Sequence, residues 1–295
     1  MVHFIEVVIT GLLVGGIYAC IALGWAIIYK TSGVVNLATG QLTLVGAYVC
    51  FALYTTFGLP FIVALLGMLA IAIGLGILTE RLWLRPMIGE PVLSVIMVTV
   101  GINFAYQAIV ALIWGADTRV FTPPVFPMEP LMLGPIHVSQ VFLYSFLVAG
   151  IMMAILVYFF QRTRMGLAMQ ATADDEMAAR SMGIAASSVY RWTWVIAFMS
   201  CGIAGALLGN INGLNISISY LGLLVLPAVV IGGMNSIPGA VAGGLIIGVL
   251  ENLGDAYVSR FFPGGVKSTF PFIVMLIVML WKPYGLWGWV KIERM

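Results

Sequence analysis

Six of the 24 charged residues in this chain (13 basic and 11 acidic) fall within one stretch, RTRMGLAMQATADDEMAARSMGI, at residues 162–184. They are Arg162, Arg164, Asp174, Asp175, Glu176 and Arg180. Apolar runs flank the stretch on both sides. The non-covalent chemistry that this pattern supports is helix capping and ion pairing at a water-exposed surface.

The spacing within residues 162–184 predicts a short helix of about two turns. Thr172 or Asp174 is the expected N-cap, because a short side-chain oxygen accepts the free N–H groups of a first turn. Glu176 and Arg180 stand four residues apart, in the favourable order for an ion pair. Gly183 is the expected stop, because glycine adopts the left-handed conformation without a steric penalty.

This short helix would be marginal in isolation, so it needs a surface to pack on. Its small side chains offer a shallow apolar surface: Ala171, Ala178, Ala179 and Met182. One interpretation is an ordinary helical loop between two membrane segments. The other is a coupling helix that inserts into a groove of a cytoplasmic motor subunit.

A second set of polar residues lies within apolar segments, where such groups face a partner helix or a cavity. The candidates for a solute path are Asn36, Thr39, Gln41, Asn103, Gln107, Asn210, Gly233, Asn235 and Glu251. For each polar side chain the alternative is an interhelical hydrogen bond worth about 1 kcal/mol. The run GGMNSIPGAVAGG around Gly233 predicts either a break between half-helices along the path or a tight cytoplasmic turn with small-residue packing.

The elements that position these residues are membrane helices, because 62% of the chain is hydrophobic and only 8% is charged. We predict an all-α integral membrane protein with about 8–10 spans and one transmembrane domain over residues 1–295. Nine spans fit best, at 5–29, 36–57, 60–83, 91–114, 139–160, 191–213, 217–233, 239–256 and 269–288. The interrupted segments 36–57 and 217–233 are expected to be broken or re-entrant.

The distribution of Lys and Arg predicts the orientation. With the connecting loop 161–190 in the cytoplasm, ten of the 13 basic residues lie inside. The three outside are Arg119, Arg260 and Lys267. The N-terminus is then outside and the C-terminus cytoplasmic. The three cysteines lie in apolar runs and are expected to be buried free thiols.

Three stretches resemble one known family. The order G-L-x-M-Q-A-x-A-D-D-x-x-x-A-R-x-x-G-I, at residues 166–184, is similar to the cytoplasmic loop of LivH-type permeases of branched-chain amino acid ABC importers. GLLVGGIYACIALGWAIIYKTSGVVNLATGQLTLVGAY (residues 11–48) and VVIGGMNSIPGAVAGGLIIGVLE (residues 229–251) agree in order and spacing.

This resemblance implies a permease without catalytic chemistry of its own, in a bacterial or archaeal inner membrane. It implies four kinds of partner or component: a second related permease (or a second copy), two cytoplasmic ATPases that bind ATP and Mg²⁺, an extracytoplasmic solute-binding protein, and membrane lipid. The residues it implies for ATPase coupling are Arg164, Gly166, Ala171, Asp174, Asp175, Glu176, Arg180 and Gly183.

The chain departs from the family pattern after its first span. The family usually has N-F-A-H-G there, whereas this chain has Asn36-Leu37-Ala38-Thr39-Gly40. Branched-chain amino acids, urea, short amides and aromatic or organic acids therefore all stay open as solutes.

Rival functions have weaker support in the sequence. A stand-alone secondary transporter or channel for a small neutral solute would explain the polar spans but not residues 162–184. GGVKST, at residues 264–269, lacks the glycine spacing of a phosphate-binding loop, so no ATP is expected on this chain. The cysteine spacing matches no metal motif and no His-Glu-x-x-His sequence occurs, so no metal is expected either. The net charge of +2 is too small to indicate a nucleic-acid partner.

Overall fold

The computed structural model of the protein describes residues 2–127, 129–260 and 266–288. Those residues form helices and one small β-hairpin. The helices are α1 (Val2–Ser32), α2 (Thr39–Phe51), α3 (Phe61–Thr79), α4 (Val92–Trp114), α5 (Gln140–Arg162), α6 (Arg164–Asp174), α7 (Glu176–Ser181), α8 (Ala186–Asn212), α9 (Leu221–Leu224), α10 (Leu226–Gly232), α11 (Ile237–Leu253) and α12 (Val266–Trp281). The hairpin pairs β1 (Pro130–Leu133) with β2 (Ile136–Ser139).

Each of the nine predicted spans falls on a helical segment. Within the described residues, six segments are long and apolar enough to cross a membrane. They are Val2–Ser32, Phe61–Met87, Val92–Trp114, Gln140–Arg162, Ala186–Asn212 and Ile237–Val258. The other three predicted spans correspond to shorter helical pieces, of which Ile216–Gly232 and Val266–Trp281 are apolar. The prediction of an all-α integral membrane protein is confirmed.

The two spans expected to be interrupted are broken in the structure. Residues 33–38 are not helical, so α2 begins at Thr39 and ends in a π-helical turn over Ala52–Thr56. The second segment is a 3₁₀ turn (Ile216–Tyr220) followed by α9 and α10. Pro227 lies in the first turn of α10, where its missing N–H costs no helical hydrogen bond.

α1 and α8 form the centre of the bundle. α1 packs against α11, α8 and α5, and α8 also packs against α2 and α3. Glycines allow the closest of these approaches: a Cβ atom at Gly11 of α1 would lie 2.7 Å from the Cα of Val249 in α11. Such contacts are typical of membrane helices, where backbone proximity replaces hydrophobic driving force. The three cysteines are buried and unpaired, as predicted.

The bundle has two distinguishable ends. At the hairpin end, the backbone N–H of His137 in β2 donates to Glu6 of α1 over 2.9 Å. α5 runs from that hairpin to α6, and α8 leaves from just after α7. The opposite end, called the α7 end below, therefore carries α6, α7, the end of α3 and the starts of α4 and α8.

Candidate functional site: α7 and the cavity behind it

The charged segment folds as two helices and not as one. Thr163 caps α6, with its hydroxyl oxygen accepting from the Gly166 N–H over 3.1 Å. Asp175 interrupts the helix between α6 and α7. It also caps α7, because its Oδ1 accepts from the Ala178 N–H over 2.9 Å. The predicted caps were wrong. Thr172 lies inside α6 and donates to the Ala168 carbonyl, and Asp174 is the last residue of α6.

Gly183 ends α7 as predicted. Its φ of +85° is in the left-handed region that glycine adopts readily. The N–H of Gly183 donates to the Arg180 carbonyl, and the N–H of Ile184 donates to the Ala179 carbonyl, each over 3.0 Å. These two bonds form a Schellman motif, which satisfies carbonyls that a helix end leaves free.

Glu176 connects α7 to α8. One of its oxygens accepts from Arg180 over 2.5 Å, which confirms the predicted ion pair. The other accepts from the Tyr190 hydroxyl over 3.0 Å. Tyr190 lies in the second turn of α8. The hydrogen bond from Tyr190 to Glu176 therefore connects α7 directly to a central helix of the bundle.

The outward side of α7 carries exposed apolar side chains beside the exposed Arg180 and Ser181. Met177 is 80% exposed and Met182 is 84% exposed. Ala171 and Ala178 are exposed as well, whereas Ala179 is buried and does not belong to this surface. The remaining predicted coupling residues divide between solvent and core: Arg164 and Asp174 are exposed, and Gly166 is buried where α6 meets α5.

A cavity of about 480 Å³ lies behind α7. Its walls come from the end of α1, the segment after α3, the start of α4, α7 and the start of α8. They include Ser32, Asn36, Glu80, Arg85, Glu90, Val95, Thr99, Glu176, Arg180, Tyr190 and Trp194. The cavity therefore extends from the coupling candidates on α7 to Asn36, a candidate for the solute path.

Four path candidates come together at the break before α2. Asn103 of α4 accepts from Gln41 over 3.1 Å and donates to the Leu37 carbonyl over 2.9 Å. The Thr39 hydroxyl donates to the Asn36 carbonyl, and Asn36 Oδ1 accepts from the backbone N–H of Ala38. Side chains within the protein thus satisfy the Ala38 N–H and the carbonyls of Asn36 and Leu37, the kind of compensation that a broken membrane helix requires.

The other path candidates lie elsewhere. Gln107 is one turn beyond Asn103 on α4. Asn210, in the last turn of α8, and Glu251, beside Tyr18 of α1, lie toward the hairpin end. Gly233 and Asn235 form the turn between α10 and α11 at the α7 end. There the backbone N–H groups of Leu286 and Trp287 donate to the carbonyls of Ile231 and Gly232.

The sequence analysis missed the residues around Glu80. This carboxylate is completely buried in the π-helical turn that ends α3, and Arg85 donates to its Oε1 over 3.2 Å. The sequence did contain an indication of this ion pair. Glu80 is an acid inside the predicted apolar span 60–83, and Arg85 follows it five residues later. In the described ranges, no three His, Cys, Asp or Glu residues are placed to hold a metal ion.

Comparison with known proteins agrees with this architecture. A family model described as "Branched-chain amino acid transport system / permease component" matches residues 7–279. The high-affinity branched-chain amino acid transport system permease protein LivH of Escherichia coli (strain K12) is 30% identical, over 99% of this chain and 98% of that protein. BraD of Pseudomonas aeruginosa, which carries the same description, is 28% identical, over 99% and 98%.

Two more distant proteins are also similar. The probable branched-chain amino acid transport permease protein LivH of Methanocaldococcus jannaschii is 27% identical, over 93% of this chain and 90% of that protein. A solved structure described as PsaBC from Streptococcus pneumoniae in complex with Fab has a TM-score of 0.50 at 12% identity. It covers 94% of this chain and 91% of that one, and the likeness concerns the fold alone.

Proposed function

The chain belongs to the family of permease components of branched-chain amino acid transport systems, and we propose that α7 is the element through which partner ATPases drive it. As an ABC-importer permease it is a multi-pass membrane subunit and not itself an enzyme. Permeases of this family act with ATPase and other transporter components, so the question for this chain is where those components act.

The exposed apolar surface of α7 is the observation that carries the proposal. Met177 and Met182 present flexible, polarizable side chains to solvent on a helix whose two ends are fixed by Asp175 and Gly183. Methionine-rich surfaces adapt well to a partner groove. The Glu176–Tyr190 hydrogen bond holds α7 against α8 from behind, so a force applied to the methionines reaches a central helix.

The partners follow from this assignment. Two cytoplasmic ATPases bind ATP and Mg²⁺. One ATPase docks on α7 of this chain, and the other docks on α7 of a second permease, which is either a related chain or a second copy. An extracytoplasmic solute-binding protein docks at the hairpin end. The α7 end is then cytoplasmic, the N-terminus is outside, and the membrane is a bacterial or archaeal inner membrane.

The solute class follows the names of the relatives. We assign a branched-chain amino acid as the preferred cargo. The inner part of its route is the cavity that leads from α7 to Asn36 and Thr99, since polar groups inside a membrane bundle are favourable where they meet a solute or water. ATP-driven closure of the ATPases moves α7, and α7 moves α8. The helices then expose the cavity alternately to the two sides of the membrane.

The docking assignment is tested with substitutions on the outward surface of α7. A complex purified through a tag on this chain should retain its ATPases, and Met177→Glu with Met182→Glu should release them. Met177→Leu with Met182→Leu, which preserve apolar volume, should retain them. Full ATPase retention by the double glutamate variant would exclude docking on this surface.

The orientation is tested with a membrane-impermeant maleimide. Met182→Cys, in this chain expressed without its ATPases so that the docking surface is free, introduces an exposed thiol, whereas the three native cysteines are buried and should not react. We expect labelling only after the cells are permeabilised. Labelling in intact cells would place α7 outside and overturn the proposal.

A further inference from the structure

Glu80 combines features that neither capping nor helix packing explains. Its side chain is only 1% exposed, and it begins the π-helical turn Glu80–Leu84 that ends α3. π-helical turns inside helices are frequently associated with functional sites. Its Oε1 accepts from Arg85, but its Oε2 accepts no hydrogen bond from any described residue.

A second cation beside Glu80 comes from α8. Arg191 Nε lies 3.9 Å from Oε2, about 1 Å longer than an ordinary charge-assisted hydrogen bond. An acceptor that is buried without a partner is costly, so a small approach of Arg191 would be favourable. The pair is therefore placed to close over a short displacement of the first turns of α8.

Arg191 is adjacent to Tyr190, which donates to Glu176 of α7. A displacement of α7 therefore acts on the turn of α8 that carries Arg191. On the other side of Glu80, the hydroxyl of Thr79 is 2.6 Å from the hydroxyl of Tyr106 in α4. The ring of Tyr106 also packs edge-on against Phe198 of α8, with 5.7 Å between centroids.

We propose that Glu80 is a positioning residue that transmits the movement of α7 to α3 and α4. In the present conformation its contact with Arg191 is open. When α7 is displaced, Tyr190 carries the first turns of α8 along, Arg191 closes on Oε2, and the last turn of α3 follows. This inference rests on the proposed function, because it takes α7 as the element that the ATPases move.

The test uses the complete transporter in proteoliposomes with Glu80→Gln, Arg191→Gln and the double variant. Arg81→Gln is the matched control, because Arg81 is an exposed side chain of the same π-helical turn, does not line the cavity and forms no ion pair with the described residues. Two quantities are measured: ATP hydrolysis and uptake of radiolabelled L-leucine. We expect each of the variants Glu80→Gln and Arg191→Gln to keep its hydrolysis while uptake per ATP falls roughly tenfold, and Arg81→Gln to behave as wild type.

The double variant distinguishes a relay from general damage. If Glu80 and Arg191 act together, the double variant is no worse than either single variant; independent defects would multiply. Unchanged uptake per ATP in both single variants, or multiplied defects in the double variant, would overturn the relay. Arg191 is 42% exposed at its side chain, so Arg191→Gln remains informative even if Glu80→Gln fails to assemble.

A third measurement needs no assigned solute. Asn210→Cys places a thiol at the far end of α8, and its reaction with maleimide is compared without nucleotide and with ATP plus vanadate. We expect the labelling rate to change about fivefold or more in the otherwise wild-type complex and less than about twofold with Glu80→Gln. An equal change in both would overturn the relay. A wild-type complex that does not move leucine would instead refute only the solute assignment.

Discussion

Removing the N-cap of α7 should weaken ATPase docking, and the structure allows the size of this effect to be estimated. Asp175 accepts from the Ala178 N–H over 2.9 Å and has the extended backbone (φ −153°, ψ 106°) that an N-cap adopts. α7 has only six residues, so it cannot be stable without its caps and its contacts with α8. Asp175→Ala removes one of the caps and leaves the outward methionines unchanged.

The expected loss is about 1 kcal/mol of α7 stability, the usual cost of replacing a capping aspartate by alanine. If docking requires an ordered α7, the apparent affinity for the ATPase falls by up to about fivefold, because 1.4 kcal/mol corresponds to tenfold. Asp175→Asn should stay near wild type, since asparagine caps as well as aspartate. Asp174→Ala is the matched control, because Asp174 is an exposed carboxylate that ends α6 without capping α7.

Two measurements test this expectation. Titration of the purified ATPase onto the permease in nanodiscs gives the affinity. Hydrogen exchange of the amides of residues 179–182, whose N–H groups bond to backbone carbonyls of α7 and its cap, reports the order of α7. The reasoning is refuted if Asp175→Asn weakens docking as much as Asp175→Ala. The negative charge would then matter and not the cap. Equal effects of Asp174→Ala and Asp175→Ala would refute it in the same way.

Three further substitutions test the elements that support the site. Gly248→Leu should prevent stable folding, since a side chain there meets the backbone of α1. Gly74→Leu should be tolerated, because among the described residues no neighbour lies within 4 Å of a Cβ atom at that position. Thermal stability in detergent compares the two variants, and equal loss of stability would contradict the packing argument. Asn103→Leu should lower uptake by releasing the segment before α2, and Gln107→Leu, one turn away, should do so less; equal loss would contradict the role of the network. Ser236→Ala should lower the free energy of unfolding by about 1 kcal/mol, because it removes the side-chain cap of α11. Denaturant titration measures this change. An unchanged free energy would indicate that backbone hydrogen bonds alone hold the turn.

Local features of the site were predictable because they depend on residues close in sequence. The Glu176–Arg180 pair needs only a helix and a spacing of four, and the Gly183 stop needs only a residue that adopts positive φ readily. The cap was not predictable in the same way, because Thr172, Asp174 and Asp175 are all capable N-caps. Tertiary packing decides between them: Thr172 is buried inside α6, so the break moves to Asp175.

Hydrogen bonds and ion pairs between residues far apart in the chain could not be predicted from one sequence. Gln41 and Asn103 are 62 residues apart, and their hydrogen bond depends on how α2 and α4 cross. The sequence placed Glu80 only within an apolar span. Its second cationic neighbour is Arg191 of α8, which is distant in sequence, so the pair could not be predicted. Composition and periodicity predict which segments enter the membrane, but they do not predict which faces of those segments meet.

The proposed action of the ATPases on α7 requires a six-residue helix to drive a large bundle, and the position of α8 offers a route for that movement. α8 is continuous over 27 residues, about 40 Å, from its contact with α7 to Asn210 near the hairpin end. Along that length it is buried against α1, α2 and α3, with backbone contacts at Gly46 and Gly76 that leave no room for a side chain. Such contacts are too close to deform gradually, so we expect the part of α8 from Val195 onward to move together with the helices that it touches. The first turns of α8, which carry Tyr190 and Arg191, precede these contacts and are the part that we expect to shift toward Glu80. The short charged helix therefore needs little surface of its own, since the packing of α8 determines what moves.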